Sequence, residues 1–151
     1  ANADQGSAYL YRNLDTATGN ISENAKLTAS DGAADDRFGA SVAVSGTTGL
    51  VGAYGDDSSR GSAYLFLGLD DATGTITESV KITARDAAPS DLFGRAVSLD
   101  GDLLLIGAPG AEVSRPGFYG QAYSGSVSSM TTLDAGSASR TISGLNFVTR
   151  G

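Results

Sequence analysis

Apolar and polar residues alternate, or apolar residues run unbroken, in four short stretches that follow one another between residues 38 and 84: "FGASVAVSG", "GLVGAY", "GSAYLFLGL" and "SVKITA". Clusters of Gly, Asp, Asn and Ser bound them, and a two-residue period closed by turn residues marks β-strands. No stretch keeps the 3.6-residue period of an amphipathic helix. "GTTG" at 46–49 and "DGD" at 100–102 are short enough for hairpins. "DTATGN" at 15–20 and "DDATGT" at 70–75 read as slightly longer turns joining a third strand to a fourth. The pattern predicts an all-β chain of four-stranded antiparallel meanders, each with at least one apolar face.

The same pattern is written more than once. Gly6-Ser7-Ala8-Tyr9-Leu10 recurs as Gly61-Ser62-Ala63-Tyr64-Leu65, an offset of 61 − 6 = 55. Lys26-Leu27-Thr28-Ala29 recurs as Lys81-Ile82-Thr83-Ala84, Phe38-Gly39 as Phe93-Gly94, and Gly52-Ala53 as Gly107-Ala108. A third copy begins at Gly120-Gln121-Ala122-Tyr123, delayed by an insertion around "EVSRPGFYG". A four-stranded sheet cannot bury an apolar face alone, so successive copies are expected to stack as propeller blades do. On that count residues 1–124 form a blade array: 6–30 are strands three and four of one blade, 38–85 a complete blade, and 93–124 strands one, two and a partial three. The Ser-, Thr- and Gly-rich tail at 125–151 has room for one more strand.

Composition narrows what such an array can do. A chain of 151 residues is long enough for one ordinary domain with a core. A net charge of −7 argues against nucleic acid and against anionic lipid. No apolar run reaches the ~20 residues of a membrane helix, so no membrane insertion is expected. Cysteine and histidine are both absent, which excludes disulfides, thiol nucleophiles, His-ligated zinc and a Ser-His-Asp triad within these residues. The opening "ANADQGSAYLY" has no basic and apolar regions of the kind a signal peptide needs, as expected of a mature secreted chain or of any trimmed one.

The phrases "FGASVAVSG…LVGAYGDD…GSAYLF" and "FGRAVSLDG…LLLIGAPG" closely resemble the FG-GAP repeat of integrin-like β-propellers in its bacterial secreted form. Phe38-Gly39 and Phe93-Gly94 match the FG element, Gly107-Ala108-Pro109 matches GAP, and Gly52-Ala53-Tyr54 departs from it by one residue; the likeness runs from about residue 4 to 124. It implies a propeller-type array, an extracellular or cell-surface setting, and adhesion. The integrin form often carries a calcium loop between its first two strands. Here that connection is only Gly46-Thr47-Thr48-Gly49 or Asp100-Gly101-Asp102, too short to wrap an ion that takes six to eight oxygens. No cofactor is expected at that place.

Other candidates carry a bland reading beside a functional one. The pairs Asp35-Asp36, Asp56-Asp57 and Asp70-Asp71 can serve as metal ligands or hydrolytic carboxylates, but turns favour Asp for its own backbone bonds. Asp31, Asp35 and Asp36, echoed by Asp86 and Asp91, precede each FG element and are the candidate calcium ligands, although no bidentate Glu completes the set. Tyr9, Tyr11, Tyr64, Phe66 and Tyr123 fall on one face of the third strand, suited to stacking on sugars or, with greater weight, to packing between blades. Phe38 and Phe93 read as core, and Gly39, Gly52, Gly94 and Gly107 as sites of close backbone approach. Asn20-Ile21-Ser22 is a glycosylation sequon.

Neither end of the array respects a blade boundary. The leading pair of strands, with Gly6, Ser7, Ala8, Tyr9, Leu10, Lys26 and Leu27, lacks the first two strands of its blade; the later segment, with Val97, Leu104 and Ile106, offers just those two. The expectation is a non-enzymatic extracellular subunit, structural or adhesive, that self-assembles head to tail into a ring or filament by completing blades between identical chains. The alternative is a ligand-binding fragment of a longer propeller, recognising glycan or protein through its loops.

Overall fold

The computed structural model describes residues 4–112, 133–135 and 138–140. β1 (Ala8–Leu10) pairs antiparallel with β2 (Ala25–Thr28), setting Tyr9 opposite Lys26. β3 (Ser41–Ser45) and β4 (Thr48–Ala53) form a tight hairpin whose last facing pair is Ser45 and Thr48. β4 continues to β5 (Ser62–Phe66). The chain then makes β6 (Gly74–Thr77) and β7 (Val80–Ile82), and closes with the hairpin of β8 (Ala96–Asp100) and β9 (Leu103–Gly107). Within 113–151, a separate unit, β10 (Leu133–Ala135) pairs antiparallel with β11 (Ala138–Arg140). The third copy at 120–123 and its Tyr123 lie outside the described residues.

The described chain is all-β with open, unclosed sheets: β1-β2-β6, β3-β4-β5-β7 and β8-β9 in the first unit. The β3-β4-β5-β7 sheet is the antiparallel meander that alternation predicts. The connection after β5 is not the simple turn that "DDATGT" suggests. Part of it is β6, which crosses to the preceding sheet and pairs in parallel with β2, Leu27 opposite Ile76. Turn residues hide this strand from a reading by composition, because Ile76 is its one apolar residue; it packs against the core, as does Ala72 just before the strand. A 3-10 turn at Leu14–Thr16 and a tight turn at Asp56–Ser59 are the helical pieces in the described residues.

The core lies between the first two sheets. Phe38 sits at its centre, 3% exposed, with its ring 5.3 Å from Tyr64 and 6.1 Å from Phe66 in edge-to-face contact, the arrangement aromatic quadrupoles favour. Ala25, Leu27 and Ala29 close it from β2, and Val51 and Leu69 from the other side.

The joint between sheets is built twice from the same bonds. Phe38 N–H donates to Gln5 O at 2.9 Å, and Phe93 N–H to Arg60 O at 3.0 Å. Gly39 N–H donates to Gly52 O at 3.1 Å, and Gly94 N–H to Gly107 O at 3.0 Å. Each Phe-Gly turn is thus tied both to the Gly-Ala of its own hairpin and to the segment just before the third strand of the preceding copy. Gly52 is required by closeness: a Cβ there would lie 1.9 Å from Gly94 O and 2.3 Å from Ser41 Oγ. Backbone meets backbone across the joint, and no side chain fits between.

Candidate interaction surface

Alternation along β3 decides what the joint leaves uncovered. Ser41 Oγ donates to Gly94 O at 2.6 Å, and Gly101 N–H donates to Ser45 Oγ at 3.0 Å, so Ser41 and Ser45 face β8. Val42 and Val44 therefore face the other way, and they are 61% and 65% exposed. Their equivalents 55 residues on, Val97 and Leu99, are half-buried against β3. The same comparison holds for the hairpin partner strands: Leu50 is fully buried, whereas its equivalent Leu105 is 74% exposed, and Leu103 beside it 71%.

The uncovered valines form one wall of a groove of about 1150 Å³. Tyr9, Leu10, Tyr11, Leu14 and Leu69 line it as well. β1 borders the groove with an outer edge that is unpaired among the described residues. Arg12 at the rim donates to Ala72 O at 2.7 Å, while its buried Nε has no acceptor among the described residues. Tyr9 and Tyr11 are 53% and 42% exposed, although Tyr64 and Phe66, at the same places in the next copy, are fully buried in the core.

The residues singled out as assembly strands fall in different settings. Ala8, Tyr9 and Leu10 lie on the free edge of β1, and Leu104 and Ile106 lie on β9, whose outer edge is also unpaired among the described residues. Gly6 and Ser7 are engaged by the Phe38-Gly39 turn. Lys26 and Leu27 lie on β2, flanked on both sides by β1 and β6, and Val97 faces β3. Gly6, Ser7, Lys26 and Leu27 thus present no free edge, whereas β8, like β9, is a terminal strand of its two-stranded sheet. Phe93, read as core, is only partly buried: the third strand of its own copy, which in the earlier copy supplies Tyr64 and Phe66 to Phe38, falls outside the described residues.

The acidic candidates do not converge on a single ion site among the described residues. Among the described residues no group of three or more acidic side chains is placed to hold a metal. Asp36 is buried and accepts the Ala33 N–H at 2.6 Å, and Asp91 accepts the Ala88 N–H at 2.7 Å, the same turn bond in both copies. Burial, reinforced by the nearby Asp56 and Asp31 charges, pushes the Asp36 carboxyl above its ordinary value. Asp35 and Asp86 are exposed. So is Asn20.

Asp31 instead joins a network that sequence reading missed. Lys81 Nζ lies 2.5 Å from Asp31 and 2.7 Å from Asp56, whose carboxylate also accepts the Ser62 hydroxyl. Tyr64 donates to Asp31 at 3.0 Å. Burial raises the Asp31 carboxyl, but the Lys81 and Tyr64 bonds outweigh it and hold the carboxyl below 3.8. Burial likewise lowers Lys81, and its two carboxylates with Tyr64 overcome that and raise it. Asp56 is 7% exposed, not a solvated turn residue. The available signal was Lys81 itself, a charge inside a strand between Val80 and Ile82. The network bridges the segment after β2 to β5 and β7, so it fastens sheets together and leaves neither of its carboxylates free for chemistry.

A family model for the FG-GAP repeat matches residues 21–66 and 76–128. No curated protein matches the chain.

Proposed function

Because the chain belongs to the FG-GAP repeat family, whose repeats are structural and adhesive motifs without catalytic role, we propose that it is an extracellular structural or adhesive subunit whose sheets act as propeller blades shared head to tail between identical chains. The β8–β9 hairpin of one copy occupies the groove of the next and completes the blade that β1 and β2 begin. The extracellular setting is supported by where proteins with this repeat are typically found.

One observation supports the reading: β1 and β9, whose outer edges are unpaired among the described residues, stand at the places in the repeat that β5 and β4 occupy in the complete sheet. Between β4 and β5, Leu50 faces Leu65 and Val51 faces Tyr64. Shifting the first of each pair by +55 and the second by −55 places Leu105 opposite Leu10 and Ile106 opposite Tyr9. The free edges of β9 and β1 would then pair, and Leu103 and Leu105 would cover Val42 and Val44 as β8 and β3 already cover each other.

The magnitudes set how tight this contact is. Burying four such aliphatic side chains contributes about 1.5–3 kcal/mol each, roughly 6–12 kcal/mol together, against an association cost of about 4–15 kcal/mol. The balance predicts assembly that depends on concentration, aided by the new strand pairing. A head-to-tail contact closes as a ring or extends as a filament according to the rotation per subunit.

The test is sedimentation across a wide concentration range, with electron microscopy of the assembled fraction. The expected result is a series of oligomers growing with concentration, abolished by Leu105→Asp with the fold intact. A chain that stays monomeric at the highest concentration overturns the reading, and favours a fragment of a longer propeller that binds glycan or protein.

A further inference from the structure

We propose that residues Gly19–Ser22 of one copy add as a parallel strand to the outer edge of β7 of another copy, a second contact that rests on the head-to-tail reading and locks it from outside the blade. The template is the β6 crossing. β6 pairs with β2 in the register Ala25–Gly74, Lys26–Thr75, Leu27–Ile76 and Thr28–Thr77. Adding 55 to the first of each pair and subtracting 55 from the second gives Val80–Gly19, Lys81–Asn20, Ile82–Ile21 and Thr83–Ser22.

Both halves of this pair are free among the described residues. β7 is the terminal strand of its sheet, and Gly19–Ser22 belongs to no strand. The incoming segment already has the backbone shape that β6 uses. Gly19 has φ 66° and Gly74, at the matching place, φ 67°, a left-handed conformation open mainly to glycine. Ile21 is 46% exposed, while Ile76 packs against the core. Val80 on the receiving edge is 45% exposed.

Side chains around the ladder agree. Thr28 Oγ1 donates to Ile76 O at 3.4 Å, and Thr83 stands ready to treat Ile21 O in the same way. Glu78 accepts from both the N–H and the hydroxyl of Ser30. At the shifted places stand Glu23 and Arg85, both exposed. A contact between a carboxylate and a neutral serine within one chain becomes an ion pair between two chains, which gives the contact a charge code. Asn20 alternates to the side opposite Ile21, so it stays outside the contact.

The absence of cysteine makes the test direct. Ile21→Cys and Ile82→Cys proteins, each made singly, are mixed and oxidised. A cross-linked heterodimer that forms in the mixture and in neither protein alone supports the contact. Equal cross-linking of either variant with itself overturns it. A parallel mixture of Leu10→Cys and Leu105→Cys reports the blade-sharing contact: if that pair cross-links and Ile21 with Ile82 does not, the lock is wrong and blade sharing stands; if neither pair links, both fall. Glu23→Arg lowers the cross-linking yield about fivefold through charge repulsion, and adding Arg85→Glu to the partner restores it. A yield indifferent to both reversals also overturns the charge code.

Discussion

Val42 and Val44 on β3 and Val97 and Leu99 on β8 occupy the same places in the repeat, yet the first pair is mostly exposed and the second half-buried. Leu50 and Leu105 reverse the comparison, the earlier copy buried and the later one bare. The local sequence is apolar in all of them. Burial in a stacked array is conferred by the neighbouring sheet, so one face of each copy is core or surface according to what stands beside it. A repeat of this kind writes every sheet as though it had two neighbours.

The sharpest way to break the comparison is at the aromatic centre. Phe38→Ala removes a ring packed on Tyr64 and Phe66 and is expected to cost about 3–5 kcal/mol, whereas Phe93→Ala, only partly covered, costs less than half of that in denaturant unfolding. Equal losses would show that the two copies are equally packed. Gly52→Ala comes next, at about 1–3 kcal/mol from overpacking against Gly94 O. Gly107→Ala, whose new methyl meets only Ala96 at ordinary contact distance, stays within about 0.5 kcal/mol; a large loss there would contradict the open face. Val97→Ser with Leu99→Ser destabilises the fold by roughly 1–2 kcal/mol, while Val42→Ser with Val44→Ser leaves unfolding unchanged and weakens self-association in sedimentation.

The smallest effect is in acid. The Asp31 carboxyl is held below 3.8 in the folded state, so its contribution is present above that value and disappears as pH falls through the folded one. Asp31→Asn is expected to flatten the stability loss as pH falls below the ordinary carboxylate range. An unchanged slope would show that the Lys81 bridge adds nothing to stability. Asp36 opposes it: its raised carboxyl favours folding while protonated, and that contribution is lost as pH rises through the folded value.

Much of the array was legible because its rules are local. Alternation and flanking glycines place β3, β4, β5 and β7, and the 55-residue echo puts Phe38-Gly39 and Phe93-Gly94 at equivalent places in the repeat. What was not legible is long-range. β6 looks like a turn because its reason for being extended is the edge of β2, some 49 residues earlier (74 − 25 = 49). Asp56 looks like a solvated turn residue because the cation that draws it inward, Lys81, belongs to a strand 25 residues on (81 − 56 = 25). Tyr9 and Tyr64 are the same residue in the same word, and nothing within either copy says which one is covered.

The crossing strand also bears on how the molecule is made. At roughly 5–20 residues per second of translation, β2 leaves the ribosome about 2–10 seconds before β6 does. For that interval its border is open to any passing extended polypeptide, and a chaperone that masks short β-rich edges would act most usefully then.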